Sequence, residues 1–326
     1  MRLGVFCPVD SYPENGPPQA LYGRVLDEAV HAERVGLESF WVAEHHFAPY
    51  GVAPDPAVLL SAIAARTAHL RLGTATSVLP LHDPLQLAET YALLDQVSGG
   101  RLEFGAGSGY LRYEFAGFGV DPAEKRERFD EALDVLRVAW SGRPIRFSGR
   151  FHRIDTPPLN VLPLQPGGPP VHVGITRAPA APFVGGRGLH LANVPYITLQ
   201  TLPELADLVA AYRQALPPGV RTQVTVAMHT FCGTEPWRGP DDPAYAEVEA
   251  ALDRYLRTRV VPGARYNGRP IARDFVLFGN HEQLAARVRA LGSLGIDRLL
   301  LLASFGGLSG DVVTASLGRA ARLAAA

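Results

Sequence analysis

The chain has 326 residues, 47% of them hydrophobic and 19% charged, which is enough apolar material for a large core, and its net charge is −1. With no long run of one sign, that balance argues against nucleic acid or an anionic membrane surface as the main partner. Two cysteines, Cys7 and Cys232, are too few for a disulfide scaffold or a thiolate zinc site.

Lys125 is the only lysine, and arginine supplies nearly all the positive charge, which reads first as a coding bias. The opening "MRLGVFCPVD" has no apolar segment of signal-peptide type, and no apolar run approaches membrane-spanning length. The expected setting is therefore soluble and cytoplasmic.

In chain order, "RLGVFC" (2–7) reads as a strand. "QALYGRVLDEAVHAERVG" (19–36) follows with helical spacing of Leu21, Val25, Leu26, Ala29 and Val30. "ESFWVAE" is the second strand. The next helix, "PDPAVLLSAIAARTAHL", has Asp55 as N-cap and Pro56 in its first turn. "RLGTATSVLP" reads as a third strand, "DPLQLAETYALLDQVSGG" as a helix stopped by Gly99 and Gly100, and "RLEFGAGSG" as a fourth strand. Alternation of this kind implies a parallel sheet with helical crossovers.

The second half is less regular. It offers an amphipathic helix in "PAEKRERFDEALDVLRVAW", a hairpin about Ser148-Gly149, and a proline-rich connector. Strands at "VHVGI", "LHLANV" and "TQVTVAMHTF" follow. After an irregular or helical insertion over about 233–273 come "FVLFGN", a helix and "DRLLLL". About eight parallel strands result, the number for a single (β/α)8 TIM barrel spanning 1–326, with its insertions at the C-terminal face. No Gly-rich turn follows the first strand, as an open dinucleotide fold would need.

Glu44, His45 and His46 stand where the second strand runs out, the end at which barrel active sites lie. Neighbouring residues on an extended segment point to opposite sides, so one histidine at most faces the cleft. That favours acid/base work or polar contact over a metal site, for which no third ligand is evident.

"WVAEHHF" resembles the corresponding motif of bacterial luciferase and its relatives, the luciferase-like flavin-dependent monooxygenases. The segments "ARTAHLRLGTATSVLPLHDPLQLAETYALLDQVSGGRLEFGAGSG", "RFHRIDTPPLNVLPLQPGGPPVHVG" and "FGNHEQLAARVRALGSLGIDRLLLL" are also similar to that family. The resemblance implies a TIM barrel binding reduced FMN, or in some branches a deazaflavin, at its C-terminal mouth. It makes His45 the catalytic base or polar partner and His46 a support for Glu44. It also implies a non-prolyl cis bond between Ala75 and Thr76 beside the flavin ring.

The family's phosphate-binding loops correspond here to Gly107, Ser108 and Gly109 after the fourth strand, and to Thr176 and Arg177 after the fifth. Where bacterial luciferase has its phosphate-pairing arginine this chain has Ser108. Where the family has an acid, a serine and, three positions on, a threonine, it has Thr176, Arg177 and Ala180. Arg177 is therefore expected to replace the missing charge, with Ser108 and Thr176 supplying hydroxyls.

The expected activity is oxidation of a small organic substrate by dioxygen, with reduced FMN supplied by a separate flavin reductase, since no nicotinamide fingerprint is present. Two alternatives stand beside it: a deazaflavin-dependent oxidoreductase on the same barrel, and a non-catalytic flavin-binding or partner subunit. A homodimer is what the family suggests.

Overall fold

The computed structural model describes residues 1–48, 51–258 and 273–325. Eight parallel strands close into a barrel: β1 (Arg2–Cys7), β2 (Ser39–Val42), β3 (Arg71–Thr74), β5 (Leu102–Gly107), β8 (Val171–Ile175), β9 (His190–Asn193), β10 (Val224–Cys232) and β12 (Arg298–Leu302). β12 returns to β1 with Arg298 opposite Arg2.

Around the barrel lie α1 (Pro18–Arg34), α2 (Pro56–Ala64), α3 (Pro84–Val97), α5 (Lys125–Ala139), α6 (Ala181–Gly186), α7 (Leu202–Gln214), α9 (His281–Ser293) and α10 (Gly310–Ala320). No helix among the described residues is long and apolar enough to cross a membrane.

Local chemistry sets the boundaries. Asp55 and Asp83 each accept backbone N–H groups at the head of α2 and α3, with proline in the first turn, so donors without an intrahelical partner are satisfied where each helix begins. Asn280 and Gln283 form a reciprocal capping box on α9. The predicted hairpin is present as β6 (Ile145–Ser148) and β7 (Arg153–Thr156), paired antiparallel outside the barrel.

Two expectations are corrected. The third strand does not run through to Pro80. β3, paired with both β2 and β5, ends at Thr74, and after a break β4 (Ser77–Val78) takes up the pairing with β5 alone. "FVLFGN" forms β11 (Val276–Gly279), which pairs only with the far half of β10 and stands outside the ring. β10 is nine residues long, so its last turns extend beyond the barrel and can carry that extra strand.

The N-terminal floor of the barrel is ionic. Arg298, fully buried, lies 3.1 Å from Glu103 and 3.4 Å from Glu38. Glu103 also bonds Arg71, and its Oε2 is 2.6 Å from His172 Nε2. Burial would push the Glu103 carboxyl up; the His172 hydrogen bond and the Arg298 charge outweigh it and hold it well below the ordinary range. Trp41 lies 5.3 Å beneath the Arg298 guanidinium. Gly73 makes room for that indole, since a Cβ there would sit 2.0 Å from it.

Of the expected insertion over 233–273, residues 259–272 lie outside the described residues. The described part carries α8 (Ala246–Thr258), which packs across the end of β12. Arg254 donates to the Gly306 carbonyl at 2.8 Å, and a Cβ on Gly306 would lie 1.8 Å from the Ala251 oxygen. Glycine is required there by the helix packed against it.

Candidate active site

The "EHH" segment leaves the C-terminal end of β2 and splits into two hydrogen-bonded groups. Glu44 is buried and collects four donors: His46 Nε2 at 3.1 Å, His82 Nε2 at 2.8 Å, Ser77 Oγ at 3.1 Å and the Val78 N–H at 3.1 Å. Burial alone would raise its pKa. The hydrogen bonds from His46 and His82, the His82 charge and the Val78 N–H reverse that and bring it to about 2. Glu44 is thus a fixed anion tying the end of β2 to the β3–α3 connection. His82 belongs to this cluster, while Asp83 beside it caps α3.

His45 turns the other way. Its Nδ1 lies 3.1 Å from the Glu114 carboxylate, which also accepts the His46 backbone N–H at 3.0 Å. Its ring is edge-on to Tyr110 and packs on Gly51, where a Cβ would approach within 2.8 Å. Glu114 is buried on α4 (Arg112–Gly117), a six-residue helix after the β5 loop that sequence reasoning missed. A carboxylate at Nδ1 selects the tautomer in which Nδ1 carries the proton and Nε2 the lone pair.

The peptide bond between Ala75 and Thr76 is cis, as the resemblance implies. Thr76 sits in the break between β3 and β4, against two glycines from neighbouring strands. A Cβ on Gly107 would lie 2.1 Å from the Thr76 hydroxyl, and one on Gly174 would lie 2.7 Å from its methyl. Gly107, the last residue of β5, therefore clears space for Thr76. Gly109 has φ 72°, a left-handed backbone that glycine adopts without cost.

Ser108 and Thr176 are half-buried at the ends of β5 and β8, and Arg177 is exposed just beyond Thr176. Sequence reasoning gave Lys125 no role. It opens α5, and its Nζ donates to the Gly109 carbonyl at 3.2 Å. Burial and the nearby Arg177 charge lower its pKa. Neither cation is in an ion pair among the described residues. Two like charges beside a glycine-rich turn suit an anion, and a flavin phosphate fits that donor set.

On the opposite side of the barrel end, α8 brings the Tyr255 hydroxyl to 2.9 Å from that of Tyr196, with the Tyr255 ring 4.5 Å from His229. Trp237 of the same insertion donates to Glu249 at 3.0 Å.

In a closed parallel barrel, then, buried carboxylates hold histidines at the C-terminal end of β2, and two basic residues stand at the loops after β5 and β8. Residues 1–298 match the luciferase-like monooxygenase profile, and the chain belongs to that family.

It is 27% identical over 197 residues to the oxygenase component of flavin-dependent trigonelline monooxygenase from Acinetobacter baylyi, covering 60% of this chain and 54% of that one. It is 32% identical over 174 residues to an F420-dependent glucose-6-phosphate dehydrogenase from Kineococcus radiotolerans, covering 51% and 50%. The match spans about half the length of the curated relatives. The structure resembles monooxygenase RslO1 from Streptomyces bottropensis with a TM-score of 0.87 and 25% identity, covering 99% of this chain and 98% of that one.

Proposed function

We propose that the protein is a monooxygenase that takes reduced FMN from a separate flavin reductase and uses dioxygen to oxidise a small organic substrate. The observation that carries this reading is His45, held by Glu114 at the end of β2 in the family's "EHH" motif. Similarity to the oxygenase component of flavin-dependent trigonelline monooxygenase supports the need for a separate reductase.

Reduced FMN, when bound, supplies the two electrons that the reaction with dioxygen consumes. The protein's own residues do the rest. His45 offers Nε2 to accept or return a proton, and Glu114 stabilises the imidazolium that results. Glu44 and His46 hold the end of β2 in place so that His45 keeps its orientation. Thr76 presents its hydroxyl between β3 and β4, and Arg177 with Lys125 binds the phosphate while Ser108 and Thr176 add hydroxyls.

The test is rapid mixing of the protein with reduced FMN and dioxygen, following the return of oxidised-flavin absorbance. The protein should slow that return relative to free reduced FMN. Once a substrate is in hand, His45→Ala should lower turnover by roughly 10²-fold with flavin binding kept. Tight binding of a deazaflavin with none of FMN would overturn the reading.

A further inference from the structure

We infer that Tyr196, His229 and Tyr255 form the substrate-recognition wall of the barrel mouth, and that the substrate is an uncharged aromatic compound carrying a ring hydroxyl. The inference rests on the flavin-dependent activity proposed above and adds to it the class of molecule that is oxidised.

Register fixes which way His229 points. Arg298 of β12 turns into the barrel, where it meets Glu103, and Thr225 of β10 lies beside it. Residues at even intervals along a strand share its side, so Ala227 and His229 also face the lumen, with His229 beside Leu302 at the end of β12. His229 therefore stands at the same end of the barrel as His45, on the far side. His45, Thr76, Gly107 and Thr176 belong to the arc made by β2, β3, β5 and β8, and β9, β10 and β12 make the arc that faces it.

Three other rings close on the His229 imidazole from separate elements. Tyr196, in the turn after β9, lies 4.9 Å from it, Tyr255 of α8 lies 4.5 Å from it, and Phe305, just past β12, lies 5.2 Å from it. The Tyr196 and Tyr255 hydroxyls are 2.9 Å apart, and all four side chains are buried. Packing alone does not call for this choice. Leu302 fills the neighbouring inward position with an apolar side chain, and burying an imidazole and two phenols carries a desolvation cost that leucine or phenylalanine would avoid. Polar tips converging inside an aromatic enclosure at a barrel mouth are what a small-molecule site needs.

The same chemistry says what is recognised. Aromatic walls favour a flat ring. An imidazole and two phenols both donate and accept, which matches a hydroxyl group. Tyrosine and neutral histidine bring no full charge to offset a carboxylate or ammonium taken out of water. A flexible aliphatic chain would leave their polar atoms unpaired. The Tyr255 side chain already displays the fit: it is a phenol, edge-on to His229 and hydrogen-bonded to Tyr196. Because His229 is fully buried, the substrate ring takes the place of the Tyr255 ring, and α8 shifts to admit it.

The experiment measures binding of p-cresol, toluene, benzoate and decanal to the FMN-loaded protein by calorimetry. p-Cresol should bind at least about tenfold more tightly than each of the others. Tyr196→Phe and His229→Leu should each weaken p-cresol about tenfold and leave toluene unchanged, since only the hydroxyl loses a partner. Tyr255→Ala, which removes the ring that p-cresol displaces, should tighten it about tenfold.

Toluene bound as tightly as p-cresol overturns the inference, as does tighter binding of benzoate or decanal, or binding of none of the four. Variants of Tyr196 and His229 that weaken p-cresol and toluene alike show that the cluster acts through packing and overturn it too, and so does p-cresol binding that Tyr255→Ala fails to tighten. In each of these cases FMN stays bound and the flavin-dependent reading stands; a protein that takes up no FMN removes both. If His229→Leu fails to fold, Tyr196→Phe and His229→Gln decide by the same comparison: the first should lose the preference for p-cresol over toluene and the second should keep it.

Discussion

Replacing Glu28 by glutamine should stabilise the protein in mild alkali and leave it unchanged in acid. Glu28 lies on the inner face of α1, buried, with Oε1 lacking a hydrogen-bond partner among the described residues. Burial raises its pKa from 4.5 to about 7, opposed only by a hydrogen bond from Ser304. The folded protein therefore holds this proton more tightly than the unfolded chain does.

Stability from Glu28 is full below about pH 4.5 and is lost as pH rises through about 7. The rise of about 2.5, at about 1.36 kcal/mol each, amounts to about 3 kcal/mol above pH 8. Glutamine has nearly the same shape and never pays to ionise in this site. Denaturant unfolding of both proteins at about pH 4 and pH 8, with matched slopes, isolates the effect because all other groups cancel. A gap between the two that is the same at both pH values would refute the reasoning, as would no gap at pH 8.

Glu44→Gln should do the reverse. Its carboxyl is held at about 2, so it supplies stability above 4.5 that drains away as pH falls; the variant should lose about 3 kcal/mol at pH 7 and show a flatter acid limb in the same unfolding assay. Glu114→Gln should cut turnover about tenfold or more with the FMN affinity kept, and Glu114→Asp should recover part of it; unchanged kinetics would show that the carboxylate does not position His45. Gly107→Ala should cost about 1–3 kcal/mol and weaken flavin binding, because its Cβ would lie 2.1 Å from the Thr76 hydroxyl. Gly292→Ala, inside α9 with nothing within 4 Å, should instead gain about 0.5–1 kcal/mol by thermal unfolding.

The alternation of strand and helix was legible because the barrel strands are short, mostly buried runs separated by longer segments of helical spacing. Asp55-Pro56 and Asp83-Pro84 announced two helix starts directly. The opposite aims of His45 and His46 followed from the extended backbone alone, and the structure gives each its own carboxylate.

The partners were hidden. Glu114 is 69 residues from His45 on a helix too short to show a periodicity. Lys125 was visible as a singular residue, but its rarity had a ready compositional explanation. Only the fold sets it beside the Gly109 carbonyl. The break after Thr74 was concealed because threonine and valine on either side of it favour strands, while β4 keeps the pairing with β5 that β3 has and loses the one with β2.

The ionic floor of the barrel also acts as a gauge for the opposite end. Glu103 and Gly107 stand four residues apart on β5, and Thr176, just past the end of β8, stands four residues from His172; both intervals are even, so the members of each pair fall on the same side of the strand. A slip of β5 or β8 by one residue would swing Glu103 away from Arg298 or His172 away from Glu103, and turn the mouth residues outward in the same motion. The buried ion pairs thus penalise any mispaired barrel in which the loops after β5 and β8 would face the wrong way. Their cost in desolvation is spent on alignment, about 13 Å along the strand from the chemistry they align.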